Sequence, residues 1–138
     1  MLEGIRKIKA WELADRSAVE VYRITRHFPR EELYGLTSQL RRAAVSVPAN
    51  IVEGSQRQHL KEYLQFAYIA KASMSEAEYY VNLAHKLGYL EGADLETLTA
   101  LQAEASKTLY GLIRWLERQI AAGKVTKSAL AEKAGRKS

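Results

Sequence analysis

Residues 28–54 read FPREELYGLTSQLRRAAVSVPANIVEG. Leu33, Leu36, Leu40, Ala43, Val47 and Ile51 recur in steps of three and four, the spacing that puts side chains on one face of a helix. Pro29 ends whatever helix precedes it, because the residue before a proline is pushed out of the α region. Pro29 also suits the first position of a new helix, with Glu31 and Glu32 favourable in its first turn. Gly35 weakens that opening and moves the expected start toward Thr37. Pro48 falls inside the stripe, removes one backbone donor and predicts a kink near Ala44. Gly54 reads as the residue just past the helix end, and Ser55 to Gln58 as a capping box that opens the next helix.

The same rhythm extends on both sides. Upstream, Trp11, Ala14, Ala18, Val21, Thr25 and Phe28 predict a first helix over about residues 9–27. Downstream, Leu60, Tyr63, Ala67, Ala70, Met74, Ala77, Val81 and Ala84 predict a long third helix to about Leu87, closed by Gly88. Leu95, Leu98, Gln102, Ala105, Leu109, Leu112 and Leu116 predict a fourth, capped by Asp94 and ended by Gly123. No segment alternates as a strand would. Four long helices with short connections predict an all-α fold, an antiparallel up-down four-helix bundle with a Pro-kinked second helix. The bundle domain is expected over residues 1–123. Residues 124–138, KVTKSALAEKAGRKS, are expected to be a basic, mobile tail.

Composition narrows the classes of function. The chain has 138 residues, no cysteine and 47% apolar residues. The missing cysteines exclude a disulfide scaffold, a thiol nucleophile and Cys-ligated metal. No apolar run approaches the ~20 residues of a membrane span, and the N-terminus lacks a signal-peptide core, so a cytoplasmic protein is expected. The net charge is +5, and it is unevenly placed. Residues 1–30 carry +3, residues 31–113 carry −3 and residues 114–138 carry +5. Lys9, Arg16 and Arg23 recur every seven residues opposite the first apolar stripe, a row able to follow a phosphate backbone. An ordinary solvated face is the plainer alternative, since Glu12, Asp15 and Glu20 lie nearby.

The third helix has a second apolar row, Phe66, Ile69, Ser73, Tyr80, Leu83 and Leu87, and the fourth adds Leu101, Thr108 and Trp115. This exceeds what a corner helix of a monomeric bundle needs and suggests a subunit interface; a wide core is the alternative. The aromatics fall at bundle spacing, so no base-stacking platform is expected.

Enzyme signatures are missing. The residues three before His27, His59 and His85 are Ile24, Gln56 and Asn82, so the Glu-x-x-His pairs of a di-iron bundle are not present. There is no Gly-rich phosphate loop and no Gly-x-Ser-x-Gly elbow. No metal, cofactor or catalytic residue is expected. Gln39, Ser46, Asn50, Glu53, Ser73 and Glu76 form a polar set on or beside the inner faces of the second and third helices. They are expected to be a structural network near Pro48; an acid/base or metal pair of Glu53 and Glu76 is the alternative.

The motif Phe28-Pro29, Glu32, Tyr34-Gly35-Leu36, Gln39-Leu40-Arg41-Arg42-Ala43, Ser46, Pro48, Asn50-Ile51 and Glu53-Gly54 resembles the signature of the 23S rRNA intervening-sequence proteins. Ala70, Ser73, Glu76 and Glu78, with Trp11 and Leu87-Gly88-Tyr89-Leu90, also fit, over roughly residues 8–120. The resemblance implies a bacterial four-helix bundle that assembles as a homopentamer, and it carries no catalytic residues. It also implies a likeness to the accessory variability determinants of diversity-generating retroelements, basic barrels that bind RNA and a reverse transcriptase.

These observations together lead us to expect a non-enzymatic oligomer that binds RNA or DNA by charge. Five such subunits would carry roughly +25. The expected contacts are Lys9, Arg16, Arg23, Arg114, Arg118, Lys124 and Lys127, with Arg41 and Arg42 as candidates that acidic partners could occupy instead. A protein-interaction module that partners a reverse transcriptase is the alternative.

Overall fold

The computed structural model describes residue 4 and residues 8–130. Four helices make up nearly all of it: α1 (Lys9–Thr25), α2 (Leu36–Ser55), α3 (Leu60–Lys86) and α4 (Gly92–Ala121), with a 3-10 turn at Arg30–Glu32 between α1 and α2. Each helix packs on its neighbours in sequence, and α4 closes on α1. Neighbouring helices run in opposite directions. Arg42 of α2 meets Glu76, Ser46 meets Ser73, and Gly54 meets Phe66. Arg23 near the end of α1 meets Asp94 near the start of α4. The bundle is therefore antiparallel and up-down, as the stripes predict. Among the described residues there is no strand, only an isolated bridge between His59 and Thr126.

The core falls into two apolar clusters. One collects Leu13 of α1, Ile51 of α2, Leu60, Tyr63 and Met74 of α3, and Leu109, Ile113 and Leu116 of α4. The other collects Val21, Ile24, Phe28, Leu40, Val81, Leu90 and Leu98. Each fully buried Leu or Ile contributes roughly 1.5–3 kcal/mol relative to exposure. Between the clusters the buried stripes are interrupted by Ser17, Ser73 and Gln102, so a polar layer crosses the middle of the bundle. Ala10, Leu13 and Ile113 are buried although they lie outside the expected stripes. Trp11, which belongs to one, lies half-buried against the core edge.

Helix ends depart most from expectation. Gly54 and Ser55 do not end α2 and begin α3; both lie buried within α2. The cause is packing. A Cβ at Gly54 would stand 2.8 Å from Phe66 Cβ and 2.9 Å from Tyr63 Cδ1, so this glycine lets α3 approach the α2 backbone. Ser55 Oγ donates to the Val52 carbonyl at 2.7 Å and caps nothing ahead. The first turn of α3 is instead met by chain from beyond α4, where the Leu60 amide donates to the Val125 carbonyl at 2.9 Å.

Asp94 sits in the first turn of α4, whose cap position is Glu91. Pro29 precedes the 3-10 turn, and α2 starts at Leu36, whose amide donates to Glu32 Oε1 at 3.2 Å. That carboxylate occupies the positive end of the helix dipole. Pro48 lies inside α2, which continues through it to Ser55. Gly88 closes α3 at φ +80°, with the Tyr89 amide donating to the Ala84 carbonyl and the Gly88 amide to His85, the paired bonds of a Schellman end.

The tail expected from Lys124 starts with residues set against α3. The Lys127 amide donates to the Gln58 carbonyl, Gln58 Nε2 donates to Ser128 Oγ at 3.0 Å, and Leu130 packs on the core. The remainder of that tail, 131–138, lies outside the described residues.

Candidate nucleic-acid interface

The α1 row stands on the outer face, and two of its three members are engaged. Lys9 Nζ lies 3.5 Å from Glu12. Arg23 bonds Glu20 and Asp94, and these hydrogen bonds hold its guanidinium well above its ordinary value. Arg16 is exposed and has no partner among the described residues. On α2, Arg41 donates to Thr25 Oγ1 at 2.8 Å and lies 4.7 Å over the Tyr22 ring. Arg42 donates to Gln39 Oε1 and Glu76 Oε2, each at 3.0 Å. Both α2 arginines therefore tie helices together.

Basic groups on α4 are differently placed. Lys107, Arg114 and Arg118 are all exposed. Their spacing of seven and four puts them on one face, over roughly 16 Å of helix. Tyr110 lies among them and is 49% exposed. Arg114 Nη1 donates to its hydroxyl at 2.9 Å, with the guanidinium 5.5 Å from the ring centroid. From α3, Lys71 Nζ approaches the same ring at 5.7 Å. An exposed aromatic between two cations corrects the expectation that no aromatic would stand among exposed basic residues. Tyr110 and Arg114 are one turn apart, so half of the motif is visible in sequence. Lys71 joins it only when α3 packs on α4. Sequence reasoning also misses Lys107, although it precedes Arg114 by the same seven residues that single out the α1 row.

Beyond α4, Lys124 Nζ donates to Gln119 Oε1 at 2.7 Å. Lys127 Nζ lies 5.6 Å over the Tyr63 ring, and burial pushes its ammonium down.

The expected polar network separates into three parts. Ser46 Oγ and Ser73 Oγ are 2.8 Å apart, and Asn50 Nδ2 donates to the Ser46 carbonyl at 2.7 Å, away from the carbonyl that Pro48 releases. Gln39, Arg42 and Glu76 form an exposed cluster. Glu53 turns outward to Arg57 at 3.1 Å. Glu53 and Glu76 are therefore not brought together, because one pairs within its own helix end and the other with α2. Among the described residues no cluster of three metal-ligating side chains exists. None of the described helices is long and apolar enough to cross a membrane.

Two adjoining recesses lie between α3 and α4. One, about 430 Å³, is walled by Lys71, Ser75, Ser106, Lys107 and Tyr110. The next, about 440 Å³, is walled by Val81, Asn82, Leu95, Thr99 and Gln102. Glu78 and Ala103 line both, so the two recesses are neighbours. Burial raises the Glu78 carboxyl above its ordinary value, against a hydrogen bond from Ser106.

The fold defines the class: an antiparallel four-helix bundle. The chain belongs to the 23S rRNA-intervening sequence protein family, whose model matches residues 6–111. No curated protein matches it. Among solved structures it is similar to a protein of unknown function from the S23 ribosomal protein family of Bacteroides thetaiotaomicron VPI-5482. The TM-score is 0.70 at 23% identity, over 76% of this chain and 95% of that one, which shows a shared fold.

Proposed function

We propose that this protein is a non-enzymatic nucleic-acid-binding bundle that works as a homo-oligomer. The observation that carries this is the exposed stripe Lys107, Arg114 and Arg118 on α4, with Lys71 facing it across Tyr110. Such a stripe binds through phosphate neutralisation and counterion release, with little dependence on sequence. Arg16 and the outer charges of α1 add to the field at longer range. Exposed Ile69 and Leu87, on the α3 row expected to form a subunit contact, support self-association, which would multiply the charge. RNA binding followed across a salt series tests the proposal. Affinity should fall steeply between about 50 and 200 mM salt; no binding at low salt would overturn it.

A protein partner is the second reading. It is favoured by the groove between α1 and α2, where Val19, Tyr22, Val45 and Pro48 present an apolar surface beside Arg23 and Arg26.

A further inference from the structure

We propose that the sugar–phosphate backbone of the bound nucleic acid crosses α4 directly over Gly111, with a phosphate set between Lys107 and Arg114. This names the contact point of the nucleic-acid binding proposed above and rests on it.

Gly111 is exposed inside α4, and a Cβ built there would meet nothing within 4 Å. Glycine inside a helix is less favourable than alanine, because it loses more backbone freedom on folding. At Gly54 the close approach of Phe66 and Tyr63 accounts for the glycine. At Gly111 no such neighbour stands over the helix, so packing within the chain gives no reason for one. A missing side chain also lets a ligand come close to the backbone, and the surroundings suit one of negative charge.

Lys107, Gly111, Arg114 and Arg118 are spaced by four, three and four residues, so the glycine lies within the basic stripe itself. Lys107 and Arg114 stand roughly 6 and 4.5 Å from it along the helix axis. Among the described residues none of the three cations has a carboxylate partner. Arg114 is also oriented: its Nη1 donates to the Tyr110 hydroxyl at 2.9 Å, which leaves the rest of its fork for an anion. Glu117 accepts from the Tyr68 hydroxyl at 3.0 Å, on the α3 side of the stripe. Two long cationic side chains thus flank a floor of bare helix backbone. A phosphate on that floor comes near both at once, and Coulomb attraction grows as the separation shrinks. Any side chain at position 111 would hold the strand off. A second copy of the chain fits this glycine less well, because two α4 helices meeting there would bring like charges together.

The full chain should be titrated by fluorescence anisotropy with an unstructured RNA of about twelve nucleotides, at about 50 mM salt, wild type beside Gly111→Ala and Gly111→Gln. Neither substitution changes the charge, and both favour the helix. We expect both variants to melt at or above the wild-type temperature. RNA affinity should nevertheless fall, by roughly threefold for Ala and roughly tenfold or more for Gln. The loss should be the same for RNAs of unrelated sequence, because the contact is to the backbone. Unchanged affinity in Gly111→Gln would overturn the crossing point while leaving charge-driven binding in place. So would a loss confined to one RNA sequence, or a lowered melting temperature, which would show that the chain itself uses this space. A reduced mass by light scattering would assign the glycine to a subunit contact and overturn it as well. Failure of the wild type to bind RNA at low salt would overturn both the crossing point and the binding it rests on.

Discussion

Arg23 Nη2 lies 2.8 Å from Asp94 Oδ1, joining the end of α1 to the start of α4 across 71 positions of sequence. The same guanidinium bonds Glu20, so its charge is already opposed by two carboxylates. Arg23→Gln is therefore expected to lower the thermal midpoint slightly, an effect that shrinks in high salt. It should leave the salt dependence of RNA binding unchanged. Paired melting curves and salt titrations check both halves of this expectation.

Gly54→Ala places a methyl group against Phe66 Cβ at 2.8 Å and within 3.2 Å of the Tyr63 carbonyl. The backbone oxygen cannot rotate away as a flexible side-chain end could. Overpacking of this kind costs about 1–3 kcal/mol, more than the gain of roughly 1 kcal/mol that alanine brings to a helix over glycine. Chemical denaturation should show a lower midpoint with an unchanged slope.

Burial pushes the Tyr63 phenol up to about 12 from its ordinary value of 10. The folded state thus favours the neutral phenol. Its contribution to stability is fully present below pH 10 and is lost as pH rises from 10 through about 12. The loss is roughly 2 kcal/mol over that window. Tyr68 and Tyr89 are raised by hydrogen bonds to Glu117 and Glu32, so they add alkaline dependence of the same sign. Tyr63→Phe should lose stability less steeply above pH 10 than the wild type, measured by denaturant unfolding at successive pH values.

Self-association is the expected consequence of the uncovered apolar side chains on α3. Light scattering at micromolar concentration should give a mass that is a multiple of the 15.6 kDa chain. Ile69→Lys together with Leu87→Lys should reduce that mass while helical content is kept.

The helices are legible in the sequence because burial enforces one period along each. Leu40, Val47 and Ile51, or Ala67, Ala70 and Ala77, could face a core only in a helix. The ends are not legible from pattern alone. Gly54 looks like a terminator, yet it is a close-packing position, and only the approach of Phe66 reveals that. Asp94 looks like a cap, yet it bonds Arg23 on the neighbouring helix α1. The surface divides in the same way. Arg114 and Arg118 stand out by charge, and spacing adds Lys107. Lys71 beside Tyr110 depends on the register of α3 against α4. That register is fixed by side-chain packing between residues far apart in sequence, and spacing within one helix does not reveal it. The Glu53 and Glu76 pair misleads for the converse reason: each sits near an inner face, but an arginine draws each outward.

The salt dependence of RNA binding in two triple variants tests the central claim most directly. One replaces Lys107, Arg114 and Arg118 with Gln; the other replaces Lys9, Arg16 and Arg23. For every phosphate of a single strand that the protein ceases to neutralise, the plot of log K against log salt flattens by about 0.7. The α4 variant should therefore flatten the slope by about 2 units, and the α1 variant by less than half as much, with helical content and mass unchanged in both. An α4 variant that keeps the wild-type slope would contradict an interface on this helix.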